Sequence, residues 1–145
     1  MATSPFPFED SAAIDEVLRR ARVGLRRVLA TELSAEIADG ALVVDIRPID
    51  QRQRDGELPG AIVVDRNVLE WRLDPTCLFR LPGSDDADRR VIVVCTEGYS
   101  SSLAAASLQQ LGLRNATDLI GGYQEWLTVV HHAARLALPL RQRPQ

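Results

Sequence analysis

Lysine is absent from this sequence of 145 residues, so all 17 basic residues are arginine, against 20 acidic residues. The net charge of −3 gives no general attraction to nucleic acid, and no nucleic-acid partner is expected. Long apolar runs are also missing. None approaches the roughly 20 residues that a membrane helix needs, and the first residues lack the basic start and apolar run of a secretory leader. No membrane partner is expected.

Cysteine and histidine are scarce as well, with two residues of each. Cys77 and Cys95 form neither a metal-binding motif nor a disulfide framework. His131 and His132 are adjacent and point to different helix faces, whereas paired metal ligands on a helix need a spacing of three or four. We therefore expect a cytoplasmic protein in a reducing compartment, with no metal and no cofactor.

The chain is organised around residues 91–101, which read Val-Ile-Val-Val-Cys-Thr-Glu-Gly-Tyr-Ser-Ser. A β-branched run leads into Cys95, a short loop with one glycine follows, and an apolar periodic segment opens at Ser100. This order predicts a strand, a loop and a helix, with Cys95 at the carboxyl end of the strand. Loop N–H groups and the helix dipole would then lower the pKa of the thiol. The alternative is a buried core cysteine that only ends a strand.

Strand and helix patterns alternate along the chain, which is typical of an α/β fold with a mostly parallel sheet. Ligands of such sheets bind outside the carboxyl ends of the strands, where Cys95 is predicted to lie. An amphipathic helix begins near Ile14, and Gly24 is expected to weaken or end it. The predicted strands are residues 27–29, 41–47, 62–64, 91–94 and 116–120, the later helices include residues 51–55, 68–73 and 123–134, and residues 74–90 are predicted to be a loop.

Four stretches, in order along the chain, together resemble the rhodanese-like (sulfurtransferase) domain family. They are an apolar strand ending Asp-x-Arg at residues 42–47, Gly-Glu-Leu-Pro-Gly-Ala at 56–61, the cysteine loop at 91–101, and Leu-Ile-Gly-Gly-Tyr-Gln-Glu-Trp at 119–126. The family's counterparts of the second and fourth are Gly-His-Ile-Pro-Gly-Ala and Leu-x-Gly-Gly-x-x-x-Trp. The resemblance covers about residues 27–130.

The resemblance implies a three-layer α/β fold, in which a five-stranded, mostly parallel sheet is flanked by helices, with an extra N-terminal helix. We divide the chain accordingly into an N-terminal arm and amphipathic helix (residues 1–26), a rhodanese-like domain (27–134) and a polar C-terminal tail (135–145).

The resemblance also implies a single-domain sulfurtransferase of the rhodanese type. Cys95 would attack the sulfane sulfur of a donor and carry it, as a persulfide, to an acceptor. The donor would be thiosulfate or a small-molecule or protein persulfide, and the acceptor a thiol or cyanide. Thiolate and persulfide are both anions, so a ring of loop N–H groups can stabilise them without a general base. The residues of that loop are Thr96, Glu97, Gly98, Tyr99, Ser100 and Ser101.

Departures from the family pattern concern the sulfur donor. Glu57 stands where the family often has histidine, and Thr96 and Glu97 stand where thiosulfate-preferring members often carry basic residues. If Glu97 faces the pocket, its charge opposes a dianionic donor, and thiosulfate should be a poor substrate. A side chain that points to solvent is the alternative.

Two other functions compete with sulfur transfer. A phosphatase or arsenate reductase also uses a cysteine in a loop ahead of a helix, but needs an arginine six positions later to grip an oxyanion. Ser101 occupies that position, and residues 91–113 contain no arginine or lysine. The second rival is a non-catalytic interaction or regulatory module, although such modules usually lack the cysteine.

Three further residues have two readings each. Asp45 and Arg47 end a strand at the same sheet edge, and we interpret them as an ion pair that ties loops together and supports the site. The alternative is that Arg47 biases the site toward anions. Cys77 lies in a loop beside Pro75, and we interpret it as an incidental or structural cysteine. The alternative is a thiol that resolves the persulfide as a disulfide.

Overall fold

Four short parallel strands form the centre of the structure, a computed structural model in which residues 12–144 are described. They are β1 (Leu42–Asp45), β2 (Ile62–Val63), β3 (Val91–Val94) and β4 (Ala116–Asp118), in the spatial order β2-β1-β3-β4. Every neighbouring pair is parallel, so the predicted parallel sheet is confirmed. The arm predicted ahead of the first helix lies outside the described residues.

The strand predicted at residues 27–29, which would be the fifth of the sheet, is present only as a single β-bridge. Val28 lies beside Leu119; its N–H donates to the carbonyl of Asp118 at 3.0 Å, and its own carbonyl accepts from the N–H of Ile120 at 2.8 Å. A 3₁₀ turn begins at Ala30, so the chain leaves the sheet edge before further residues can pair. The prediction of five strands is therefore wrong, although Val28 takes the place of a fifth strand beside β4.

Helices connect the strands and cover both faces of the sheet. In residues 12–144 they are α1 (Ala13–Arg22), α2 (Leu33–Ala38), α3 (Ile49–Asp55), α4 (Leu69–Leu73), α5 (Ser100–Gln110) and α6 (Gly122–Ala137), with 3₁₀ turns at Ala30–Glu32, Arg66–Val68 and Leu140–Gln142. Residues 74–90 form neither helix nor strand, as predicted. None of the helices described is long and apolar enough to span a bilayer.

The predictions for the first and the last helix have different outcomes. The predicted N-terminal helix is confirmed as α1, which ends just before Gly24. The predicted end of the last helix at residue 134 is wrong, because α6 continues to Ala137 and a 3₁₀ turn follows within the predicted polar tail. Arg135 and Leu136 favour helix, and the chain becomes extended only at Leu138, the residue before Pro139.

Side-chain alternation along β3 divides the core into two layers. Val91 and Val93 pack into a cluster completed by α4 and α5, whereas Ile92 and Val94 pack into one completed by α2 and α6. Burial on both faces explains why this strand reads as a continuous apolar run. Cys95 continues the alternation on the α4 and α5 side, and only 7% of it is exposed.

Candidate active site

The carboxyl ends of β1 and β3 carry the residues predicted as the functional site. Cys95 follows β3 directly, and Asp45, the last residue of β1, lies opposite Val94. Parallel strands end at one edge of the sheet, so the structure brings Cys95 and Arg47 into the lining of one pocket. Asp45 is fully buried behind this lining.

Two backbone N–H groups point at the sulfur of Cys95. The N–H of Gly98 lies 3.2 Å from Sγ, and the N–H of Ser101, in the first turn of α5, lies 3.4 Å away. None of the described residues accepts a hydrogen bond from the loop N–H groups at positions 96, 97, 99 and 100. These four groups are therefore not committed to an acceptor in the described part of the protein.

The surroundings of Cys95 favour its ionised form. Burial alone would raise the pKa of the thiol, but the hydroxyls of Ser101 and Ser100 and the N–H groups of Ser101 and Gly98 outweigh it and bring the pKa below its ordinary value. The Ser101 hydroxyl also lies 2.7 Å from Oδ2 of Asp118, and it has one proton to give. A hydroxyl that donates this proton to Asp118 cannot also donate it to Sγ of Cys95. The backbone N–H groups of Gly98 and Ser101 are therefore the more constant cause of the lowered pKa.

A pocket of about 350 Å³ opens over the thiol. Its lining contains Cys95 and four of the six loop residues predicted after it, while Gly98 and Ser101 are buried behind it. Glu97 is exposed and lies in the lining, whereas Glu57 does not line the pocket and pairs with Arg52 at 3.0 Å. The lining residues are Ile46, Arg47, Pro48, Gln51, Cys95, Thr96, Glu97, Tyr99 and Ser100.

A larger groove, of about 660 Å³, lies between α1 and α5. Its lining, which includes Val17, Ala21 and Leu103, contains no cysteine, histidine or carboxylate. It therefore offers no thiol and no general base, and its one hydroxyl, that of Ser107, donates to Glu70 at 2.7 Å. Within residues 12–144, no group of three or more His, Cys, Asp and Glu side chains is arranged to hold a metal ion.

Asp45 and Arg47 form the predicted ion pair in full burial. Nη2 of Arg47 lies 2.8 Å from Oδ2 of Asp45 and donates to the carbonyl of Gly56 at 2.9 Å. The guanidinium also lies over the ring of Tyr123, 3.8 Å from its centroid. Nη1 of Arg47 is buried and has no hydrogen-bond partner among the described residues. The pair thus ties the end of β1 to the turn after α3 and to α6.

Gln51 is a pocket residue that the sequence analysis did not identify. It lies on α3, and its Oε1 accepts a hydrogen bond from the Thr96 hydroxyl at 2.5 Å. This contact fixes the amide so that its NH₂ group stays free to donate. The sequence predicted a helical turn here, but the 45 residues that separate the two side chains gave no sign of the contact.

Gly122, at the start of α6, touches the cysteine loop from below the sheet edge. A Cβ added here would lie 2.4 Å from the carbonyl oxygen of Cys95 and 2.7 Å from the N of Gly98, and the backbone φ is +61°. The N–H of Tyr123 donates to the same Cys95 carbonyl at 2.8 Å. The loop is therefore held against α6 at a distance that only glycine permits.

Gly122→Ala should destabilise the fold and distort the loop. We expect a loss of about 2–4 kcal/mol in the free energy of unfolding, from left-handed backbone strain and the backbone clash together, measured by urea denaturation. Gly112→Ala is the matched control, because Gly112 also has a positive φ, +95°, but no atom within 4 Å of an added Cβ. It should lose about 1–2 kcal/mol. Equal losses in both variants would contradict the close approach.

Comparison with known proteins agrees with this geometry. The Rhodanese-like domain family model matches residues 29–128. Thiosulfate sulfurtransferase GlpE from Pseudomonas entomophila is 33% identical over 101 residues, covering 70% of this chain and 84% of that protein. The fold and these two matches show that the chain belongs to the rhodanese-like domain family, as the resemblance predicted.

Other relatives share only part of their length or only their fold. Adenylyltransferase and sulfurtransferase UBA4 from Candida albicans is 38% identical over 85 residues, or 59% of this chain, but the chain spans only 19% of that protein. A protein of unknown function from Rhodopseudomonas palustris, described as a possible tyrosine phosphatase, superposes with a TM-score of 0.73 at 26% identity, covering 86% of this chain and 96% of that one. The first match adds a relative described as a sulfurtransferase, and the second shows the same fold over nearly the whole of both chains.

Proposed function

We propose that this chain is a rhodanese-type sulfurtransferase that carries sulfane sulfur on Cys95. The observation that carries the proposal is a buried thiol of lowered pKa, contacted by two backbone N–H groups at the floor of an open pocket. The thiolate is the reactive form of a cysteine, so this environment suits a nucleophile. The named relatives, GlpE and UBA4, are both described as sulfurtransferases.

The reaction has two displacement steps and needs no redox cofactor. In the first, the Cys95 thiolate attacks the outer sulfur of the donor, a Cys95 Sγ–S bond forms, and the donor's own bond to that sulfur breaks. With thiosulfate the leaving group is sulfite; with a persulfide it is a thiolate. In the second, cyanide or an acceptor thiolate attacks the outer sulfur and the Cys95 thiolate is released. Both enzyme forms are anions, and the N–H groups of Gly98 and Ser101, which point at Sγ, stabilise each of them.

The partners follow from this chemistry. The donor is a small-molecule or protein persulfide or thiosulfate, and the acceptor is a thiol or cyanide. We place the reaction in the cytoplasm, because Cys77 and Cys95 are both free and reducing compartments keep such thiols reduced.

Intact mass after incubation with sulfur donors tests the proposal directly. We expect the addition of one sulfur atom, its location on Cys95 by peptide mapping, and its removal by cyanide or dithiothreitol. A protein that takes up no sulfur from thiosulfate, from a small persulfide or from a persulfidated protein would be a non-catalytic module instead.

A phosphatase is the second candidate, since one structural neighbour is described as a possible tyrosine phosphatase. The loop itself opposes it, because no guanidinium projects from residues 95–101 to grip an oxyanion bidentately. If the protein hydrolyses p-nitrophenyl phosphate in a reaction that depends on Cys95, and takes up no sulfur, it is a phosphatase and not a sulfurtransferase.

Charge at the pocket mouth bears on the choice of donor. Arg47 is neutralised by Asp45, whereas the exposed Glu97 in the lining has no ion-pair partner within residues 12–144. Thiosulfate is a dianion that must approach a thiolate beside this carboxylate. A unit-charge pair about 6 Å apart, at an effective dielectric of about 20, interacts by about 3 kcal/mol, which solvent and salt reduce to about 1 kcal/mol. A thiol-bound persulfide should therefore be the better donor.

Glu97→Gln should raise kcat/KM for thiosulfate several-fold, and Glu97→Arg should raise it further, because each removes repulsion of about 1 kcal/mol or more. The gain should shrink with ionic strength. Asp39→Asn is the matched control: Asp39 is equally exposed but lies before β1, at the opposite sheet edge. Unchanged thiosulfate turnover at low salt in both Glu97 variants would show that this charge does not set donor choice.

A further inference from the structure

Two arginines from outside the cysteine loop hold one of its peptide groups. Arg22 is the last residue of α1, and Arg27 precedes the bridge to β4; both lie before residue 29, where the family match begins. Nη2 of Arg22 donates to the carbonyl of Gly98 at 2.9 Å, and Nη2 of Arg27 donates to the same oxygen at 3.0 Å. The peptide that follows Gly98 is trans, so the N–H of Tyr99 points away from both guanidinium groups.

A buried carboxylate anchors this arrangement. Asp118 is fully buried at the end of β4 and binds Arg27 through both oxygens, at 2.8 and 3.2 Å. It also accepts hydrogen bonds of 2.7 Å from the hydroxyls of Ser101 and Ser102, in the first turn of α5. Nε of Arg22 in turn donates to the Ser102 hydroxyl at 3.0 Å. The arginines therefore grip both the loop and the start of the helix that follows it.

The cluster carries two positive charges and one negative charge, which leaves about one positive charge beside the loop. Burial and the neighbouring Arg27 lower the pKa of Arg22, while Asp118, Tyr99 and Cys95 oppose that change. Coulombic interaction is reciprocal, so a guanidinium that is stabilised by charge on Cys95 also stabilises that charge, although hydrogen bonds from Ser101, Ser100 and Gly98 are the larger causes that lower the pKa of the thiol. The loop contains no cation of its own.

We propose that Arg22 and Arg27 are positioning residues that orient the Gly98–Tyr99 peptide and supply, from the N-terminal segment, the positive charge that stabilises the anionic forms of Cys95. The inference rests on the proposed function for its purpose, because the anions in question are the thiolate and the persulfide of sulfur transfer. A purely structural clamp would hold the loop without influencing the ionisation of the thiol.

The ionisation of Cys95 separates the two roles. The rate of alkylation by iodoacetamide, measured against pH in a Cys77→Ser background, gives the midpoint for the one remaining thiol. Arg22→Gln should raise this midpoint by about 0.5–1 pH unit, which is a three- to tenfold loss of thiolate below the midpoint. Arg22→Lys keeps the charge and should retain most of the low midpoint. Arg20→Gln is the matched control, because Arg20 lies on α1 but binds Glu16, and it should change nothing.

Asp118→Asn gives a prediction of opposite sign. It leaves both cations uncompensated and should lower the midpoint, whereas loss of a purely structural anchor would loosen the loop and raise it. Each variant is first checked for folding by thermal denaturation, and the Lys and Asn variants carry the test if Arg22→Gln does not fold. The other charged or titratable groups that face Cys95 stay unchanged in all of them: Asp45, Arg47, Glu97, Tyr99 and Tyr123.

Three results would overturn the inference: an unchanged midpoint in Arg22→Gln, equal increases in Arg22→Gln and Arg22→Lys, or an increase in Asp118→Asn. Alkylation requires no sulfur donor, so these results do not depend on sulfur transfer. Shifted midpoints in a protein that takes up no sulfur would uphold the charge effect and refute the proposed function. Normal midpoints in a protein that transfers sulfur would do the reverse.

Discussion

Cys95→Ser should abolish sulfur transfer while leaving the fold intact. A hydroxyl is a far weaker nucleophile than a thiolate, and the described residues that line the pocket include no histidine to activate it, so we expect a loss on the order of 10³-fold or more, about 4 kcal/mol of barrier. The serine hydroxyl can accept hydrogen bonds from the N–H groups of Gly98 and Ser101 in place of Sγ. The free energy of unfolding should therefore change by less than about 1.5 kcal/mol.

The assay is formation of thiocyanate from cyanide, with thiosulfate and with a small persulfide as donors. Cys77→Ser is the matched control, because Cys77 lies in the loop between α4 and β3 and does not line the pocket. It should keep near-native turnover. A loss of more than about tenfold there, about 1.4 kcal/mol, would make Cys77 a resolving thiol. Substantial turnover in Cys95→Ser would refute the persulfide mechanism.

The sequence was sufficient wherever the signal is local. The β-branched run before Cys95, the glycine after it and the periodic segment from Ser100 each act over a few residues, and the strand, loop and helix appear where they predict. Juxtaposition of β1 with β3 was also accessible, because parallel strands end at one edge whatever their separation in the chain. That rule placed Arg47 beside the pocket.

Contacts between distant side chains were not accessible in this way. The hydrogen bond from Arg22 to Gly98 spans 76 residues, and no periodicity or spacing encodes it. Nothing in the sequence distinguishes Arg22 from the other arginines of residues 19–27. Likewise, the sequence shows Gly121 and Gly122 only as part of the motif at residues 119–126, and the approach of Gly122 to the Cys95 carbonyl depends on how α6 packs against the loop. The strand predicted at residues 27–29 is reduced to the bridge at Val28, because a 3₁₀ turn already begins at Ala30. Residue propensities do not locate the end of an element to within one or two residues.

The buried pair of Asp45 and Arg47 should contribute more to stability than to catalysis. Asp45→Asn leaves the buried guanidinium without its counter-charge, and Arg47→Met leaves the buried carboxylate without its counter-charge. Removal of one partner of a buried ion pair lowers the free energy of unfolding by about 3–5 kcal/mol. Arg54→Met is the matched control, since the arginine of the Arg54–Asp55 pair is largely exposed and its removal should cost much less than either buried change. Urea denaturation measures all three.

The double variant Asp45→Asn/Arg47→Met separates the ion pair from simple loss of packing. It leaves no buried charge behind, so its cost should be smaller than the sum of the two single costs. It still loses the stacking on Tyr123 and the hydrogen bond to Gly56, which keeps the cost above zero.

Steady-state kinetics, measured beside denaturation, tests the other interpretation of Arg47, in which it binds the anionic donor directly. Since its charge is already neutralised by Asp45, KM for thiosulfate should change by less than about threefold in the folded variants, below about 0.7 kcal/mol. A large rise in KM with unchanged stability would instead make Arg47 a direct anion ligand through its unpartnered Nη1.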